Sequence, residues 1–82
     1  MKAYVLIDVS AEKPKTVLNG VRKVKGVESC EAVAGPHDLI ALVEGEDINE
    51  IAKVVVDRIR KVKGVAKTLT CFVVEILSLI HI

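Results

Sequence analysis

An imidazole beside a carboxylate can move a proton, ligate a metal or hold a charged ligand. His37 and Asp38 place those two groups side by side, just after Gly35-Pro36 and just before the apolar run Leu39-Ile40-Ala41-Leu42-Val43. Proton transfer as a dyad is disfavoured, because neighbouring strand residues point to opposite faces. A metal centre needs further histidine, cysteine or carboxylate ligands at short spacing. No second histidine or cysteine lies near His37 in the sequence. Nor does the sequence carry a nucleophile elbow or a phosphate-binding glycine loop. His37 therefore reads as a turn or ligand-contact residue rather than a catalytic base, and no cofactor is implied.

A repeat positions this pair. Arg-Lys-Val-Lys-Gly-Val occurs at residues 22–27 and again at 60–65. Basic residues followed by glycine stop a helix, and the valine after them enters a strand. The chain thus reads as two tandem halves. Ala3 to Val9 is a strand whose only charge is Asp8. Ser10 is the expected N-cap of a helix with Pro14 in its first turn, running to about Lys25 with Val17, Val21 and Val24 on one face. Gly26 ends it, and residues 27–34 form a second strand. Gly35-Pro36-His37 turns into a third strand, 38–44. Asp47 and Glu50 form a D-x-x-E capping box for a second helix. Its apolar stripe holds Ile48, Ile51, Ala52, Val55, Ile59 and Val62. Gly64 ends that helix, and residues 65–74 form a fourth strand.

This order, βαββαβ, is the ferredoxin-like α+β arrangement with a four-stranded antiparallel sheet. Right-handed crossovers put the first and third strands at the centre. Cys30 and Cys71 then fall on opposite edges, which argues against an intrachain disulfide. The third strand is apolar on both faces, so both faces should be covered. Helices cover only one. Of the 82 residues, 51% are hydrophobic, more than so small a monomer needs to hide. The expectation is a dimer with its sheets face to face, or a higher homo-oligomer.

Composition narrows the function. The formal net charge is +1, with 12 basic against 11 acidic residues and two aromatics. That is not the footprint of a nucleic-acid binder, so no direct DNA binding is expected. The cationic helix ends suit the helix dipole. No apolar run approaches the roughly 20 residues of a membrane span, so no membrane partner is expected. Two unpaired cysteines and no signal peptide suggest a cytoplasmic protein. The terminal Leu77-Ser78-Leu79-Ile80-His81-Ile82 resembles the translated end of a transposon-based sequencing-library adapter. Residues 1–76 are therefore expected to form the single domain, with 77–82 a non-native tail, and His81 is set aside.

The segment Ala34-Gly35-Pro36-His37-Asp38 with its apolar strand resembles the turn-plus-strand signature of the effector-binding (RAM) domain of the Lrp/AsnC regulator family. There the pattern is Gly, any residue, an aromatic or histidine, then Asp. The second helix, Gly64-Val65, and a last strand with Thr68 and Thr70 match as well, over roughly Ala3 to Glu75. The resemblance implies a small-molecule sensing and oligomerisation module without catalysis. Its effector would be an amino acid near a subunit boundary, and it would modulate transcription through a full-length regulator of the family, or modulate an enzyme. Ligand-binding residues carried over are Gly35, His37, Asp38, Thr68 and Thr70, with His37 replacing the commoner tyrosine. Family members of full length carry a DNA-binding helix-turn-helix domain before the first strand. This chain begins at that strand, so a stand-alone version is expected. The residues suit the role. Glycine permits close backbone approach, Asp38 can pair with an ammonium, and two hydroxyls remain. The alternative is a small dimeric ferredoxin-like-barrel enzyme, of isomerase or monooxygenase type, using His37.

Overall fold

The computed structural model describes residues 1–10 and 13–76. Strand β1 (Lys2–Val9) is followed by helix α1 (Pro14–Arg22), strands β2 (Val27–Ala32) and β3 (Leu39–Glu44), helix α2 (Ile48–Lys53) and strand β4 (Val65–Phe72). The sheet is antiparallel in the order β2-β3-β1-β4. This is the expected ferredoxin-like arrangement, with β1 and β3 central.

Alternation along the central strands decides the core. Ala3, Val5 and Ile7 of β1 lie opposite Val43, Ala41 and Leu39 of β3, and all six are fully buried under the helices. Val17 and Val21 of α1 and Ile51 of α2 close over them. No polar or charged residue is buried among the described residues. Burial of aliphatic side chains, worth about 1.5–3 kcal/mol each, is thus the main source of stability. No helix among the described residues is long and apolar enough to cross a membrane.

The two hexapeptides end in matching ways. Gly26 has φ +103° and Gly64 has φ +96°. This is the left-handed conformation in which glycine re-aims the chain, a few residues after each helical segment has ended. Each repeat then feeds a strand, β2 or β4. They sit at opposite ends of the sheet, since the Gly26 carbonyl accepts from Glu44 N and the Gly64 carbonyl from Ser10 N.

Element boundaries depart from the sequence reading in specific places. Ser10 does not cap α1. Its backbone N–H and hydroxyl both donate to the Gly64 carbonyl, at 2.9 and 3.3 Å, tying the end of β1 to the start of β4. The N-cap position is Lys13, which makes no side-chain cap bond. Helix α1 stops at Arg22 rather than Lys25, because Lys23 and Val24 already bond three residues back, to Gly20 and Val21. The second helix is not uniform. After α2 the chain makes a π-helical turn over Val54–Arg58 and a 3-10 turn over Ile59–Lys61. Three consecutive valines, Val54 to Val56, hold the α conformation poorly. The wide turn lets Val54, Val55 and Ile59 all stay buried. Asp47 does cap α2, its Oδ1 accepting from Glu50 N at 2.8 Å. Glu50 completes the box one residue early, accepting from Glu46 N instead of Asp47 N. Strands β2, β3 and β4 are also one or two residues shorter than expected. The adapter-like tail lies outside the described residues.

Candidate functional site

The turn between β2 and β3 is fastened to the end of β1. Asp38 N donates to the Ile7 carbonyl at 3.0 Å, and Val33 N donates to the Asp38 carbonyl at 2.9 Å. The Asp38 carboxylate turns back and accepts from Val9 N at 2.8 Å through Oδ2. Between Asp8 and Val9 the pairing of β1 with β4 shifts register. A bulge of this kind disturbs the ladder locally, and the Asp38 carboxylate satisfies the Val9 N–H beside it.

His37 does not pair with its neighbour Asp38. Its Nδ1 lies 2.8 Å from Oδ1 of Asp8, across 29 residues of sequence, and the two side chains are 27% and 32% exposed. Asp8 is the residue of this candidate site that the sequence reading missed. A signal for it existed, since it is the lone charge in an apolar strand. Nothing local in the sequence tied that carboxylate to a histidine in another turn.

The other carried-over residues stand apart. Thr68 and Thr70 of β4 lie opposite Ile7 and Val5, so they share the helix-covered face. Asp8 is on the open face, opposite Lys67. Within one chain the threonine hydroxyls and the His37–Asp8 pair are therefore on different faces. Gly35 is exposed. Its φ is not in the left-handed region, and a Cβ placed on it meets nothing within 4 Å. This chain alone does not require glycine there.

Two further features lie elsewhere. The open sheet face carries Tyr4 and Leu6 of β1, Ile40 and Leu42 of β3 and Leu69 of β4 in adjacent rows, with Tyr4 45% and Leu69 52% exposed. At the opposite end of the sheet a shallow cavity of about 660 Å³ is lined by Met1, Gly26, Val27, Gly45 and the acidic Glu28, Glu44, Glu46 and Glu50. A hydrogen bond with Glu44 and repulsion from its charge hold the Glu28 carboxyl above its ordinary range. No group of three or more metal-ligating side chains is found among the described residues. Cys30 is buried and Cys71 exposed, both as free thiols. Burial pushes the Cys30 thiol above its ordinary range.

Known proteins place this geometry. The family model for the Lrp/AsnC ligand binding domain matches residues 2–78. An uncharacterized HTH-type transcriptional regulator of Pyrococcus furiosus is 32% identical over 71 residues, which make up 83% of this chain and 47% of that protein. The chain spans about half the length of such curated relatives. Among solved structures, the L-Met complex of a transcriptional regulator from Neisseria meningitidis superposes with a TM-score of 0.80 at 25% identity, covering 90% of this chain and 49% of that one. A protein from Thermus thermophilus superposes with a TM-score of 0.76 at 30% identity, covering 90% of this chain and 95% of that one. The chain, with its βαββαβ sheet and its turn anchored on β1, belongs to the Lrp/AsnC ligand-binding-domain family.

Proposed function

We propose that this chain is a homo-oligomeric sensing domain that binds an amino acid or similar small zwitterion and passes that state to a transcriptional regulator. The observation that carries the reading is the turn from Gly35 to Asp38, where the His37 and Asp38 side chains are fastened to the end of β1 at Asp8 and Val9. The neighbouring regulator solved as its L-methionine complex supports the ligand class. Gly35, His37 and Asp38 of one protomer form one wall of the site. Thr68 and Thr70, on the helix-covered face of β4, serve a wall that is completed at a further subunit boundary of a higher oligomer, not in the face-to-face dimer. The free space at Gly35 is where a ligand or second subunit would approach.

Oligomerisation follows from the open face. Large apolar side chains in adjacent rows are what a sheet presents to another sheet. Covering it by a second copy gives the dimer with sheets face to face. The domain itself does not read DNA, because its charges balance and its two basic hexapeptides lie at opposite ends of the sheet. It performs no catalysis. The His37–Asp8 pair gives the enzyme alternative its one point of support, an oriented imidazole.

A thermal-shift screen against the twenty proteinogenic amino acids tests the reading. A ligand at a hundredfold excess over its Kd stabilises the folded state by about 2.7 kcal/mol, enough to move the midpoint by several degrees. Specific stabilisation by one or a few amino acids is the expected outcome. No response to any of them removes the sensor reading.

A further inference from the structure

We propose that Asp8 is a positioning residue of the effector site, fixing the proton of His37 on Nδ1 so that Nε2 faces the ligand as a hydrogen-bond acceptor. The inference rests on the reading of the Gly35–Asp38 turn as that site, and it specifies which chemistry the site accepts. A carboxylate oxygen has no proton to give, so in the 2.8 Å contact the imidazole Nδ1–H is the donor and Asp8 Oδ1 the acceptor. In a neutral ring with its proton on Nδ1, Nε2 is an acceptor. No hydrogen bond of Nε2 is seen among the described residues, and the His37 side chain is 27% exposed.

The surroundings point the same way. His37 Nδ1 bonds Asp8 rather than its neighbour Asp38, whose Oδ2 accepts from Val9 N. Asp8 Oδ2, Asp38 Oδ1 and His37 Nε2 remain as acceptors. The arrangement selects a ligand group rich in donors, such as the ammonium of an amino acid. Lys67, the cross-strand partner of Asp8, supplies a cation in the same row for the opposite charge of a zwitterion. A tyrosine at position 37 would offer an O–H donor as well, so histidine with a fixed tautomer gives this chain a different preference.

Asp8→Asn tests the inference. The amide keeps the shape but can donate to Nδ1, which moves the ring proton to Nε2, as an Asp-to-Asn change does behind a triad histidine. The tautomer of His37 is read by ¹⁵N-resolved NMR. Ligand response is read by thermal shift with each proteinogenic amino acid at millimolar concentration. The expected result is the Nδ1–H tautomer in the parent protein and the Nε2–H tautomer in Asp8→Asn. Amino-acid affinity should fall at least about tenfold, with the unliganded melting point and oligomer retained.

An Nε2–H tautomer in the parent protein overturns the proposal, as does an undiminished ligand response in Asp8→Asn. His37→Ala and Asp38→Asn separate the two levels of the argument. If they lose the response while Asp8→Asn keeps it, the effector site stands and the role of Asp8 is wrong. If they keep it too, or no amino acid shifts the parent protein, the effector site fails and this inference fails with it.

Discussion

The Asp38 carboxylate accepts the Val9 N–H at 2.8 Å while the Asp38 N–H donates to Ile7 at 3.0 Å. One residue of the turn is thus tied to β1 through both its backbone and its side chain. Asp38→Ala leaves the Val9 N–H without that acceptor and should cost about 1–3 kcal/mol. A loss of ligand response in that variant is therefore ambiguous. Asp38→Asn retains an acceptor oxygen and removes the charge. It should melt within a few degrees of the parent protein yet lose amino-acid-induced stabilisation. A normal ligand response in Asp38→Asn would show that the carboxylate serves only β1.

The open sheet face predicts a second outcome. Ile40 and Leu42 stand there opposite Leu6 and Tyr4. Replacing either by Asp places a charge where a second sheet would exclude water, and an unpaired buried charge is not tolerated. Light scattering should show the parent protein as a dimer or larger at micromolar concentration and Ile40→Asp or Leu42→Asp as a monomer. Ala41→Asp, on the helix-covered face, should instead unfold the chain. A parent protein that is monomeric under the same conditions would contradict the face-to-face arrangement.

What the sequence disclosed follows from the range of the interactions involved. The Asp47 cap rests on local chemistry and the strand order on crossover handedness, and both were legible. The two glycines mark left-handed turns as their sequence suggests, but the helical segments end before them, at Arg22 and Lys61. The doubly apolar β3 was legible because Leu39 to Val43 shows no apolar–polar alternation. The His37–Asp8 bond was not, because it joins residues 29 positions apart through the register of β1 and β3. The opposed faces of Asp8 and Thr68 depend on the register of β1 and β4, and a strand read in isolation does not declare which face meets the helices. Ser10 misled for a related reason. Its hydroxyl suited a cap, but tertiary pairing with Gly64 claimed it first.

Glu28 supplies a pH-dependent signature away from the proposed site. The hydrogen bond and charge of Glu44 hold its carboxyl above the ordinary value of 4.5, with Lys2 opposing. A group whose folded pKa is raised favours the folded state below its unfolded pKa, and that contribution is lost as pH rises through the folded value. The effect therefore disappears upward from about pH 4.5, leaving two repelling carboxylates at neutral pH. Glu28→Gln should melt at or above the parent temperature at pH 7. It should also lack the parent protein's decline between acid and neutral pH. Added salt should shrink the difference, since both groups face water. A parent decline that persists unchanged in Glu28→Gln would assign the effect to other groups.

Gly26 carries two constraints at once. Its φ of +103° lies where a side chain is strained, and a Cβ there would come within 2.7 Å of Val54 Cγ2 in the π-helical turn. Gly26→Ala therefore strains the backbone by about 1–2 kcal/mol and displaces a buried valine. Its melting point should fall by roughly 10 °C for a domain of this size. Gly35→Ala has neither constraint and should leave the unliganded melting point unchanged. The two variants together give the turn an independent test. If Gly35→Ala is silent without ligand but blunts the amino-acid response, the open space at that glycine is occupied only in the bound state. If Gly35→Ala responds to ligand like the parent protein, the glycine contributes nothing to binding, and the site must be built on His37, Asp38 and the threonines.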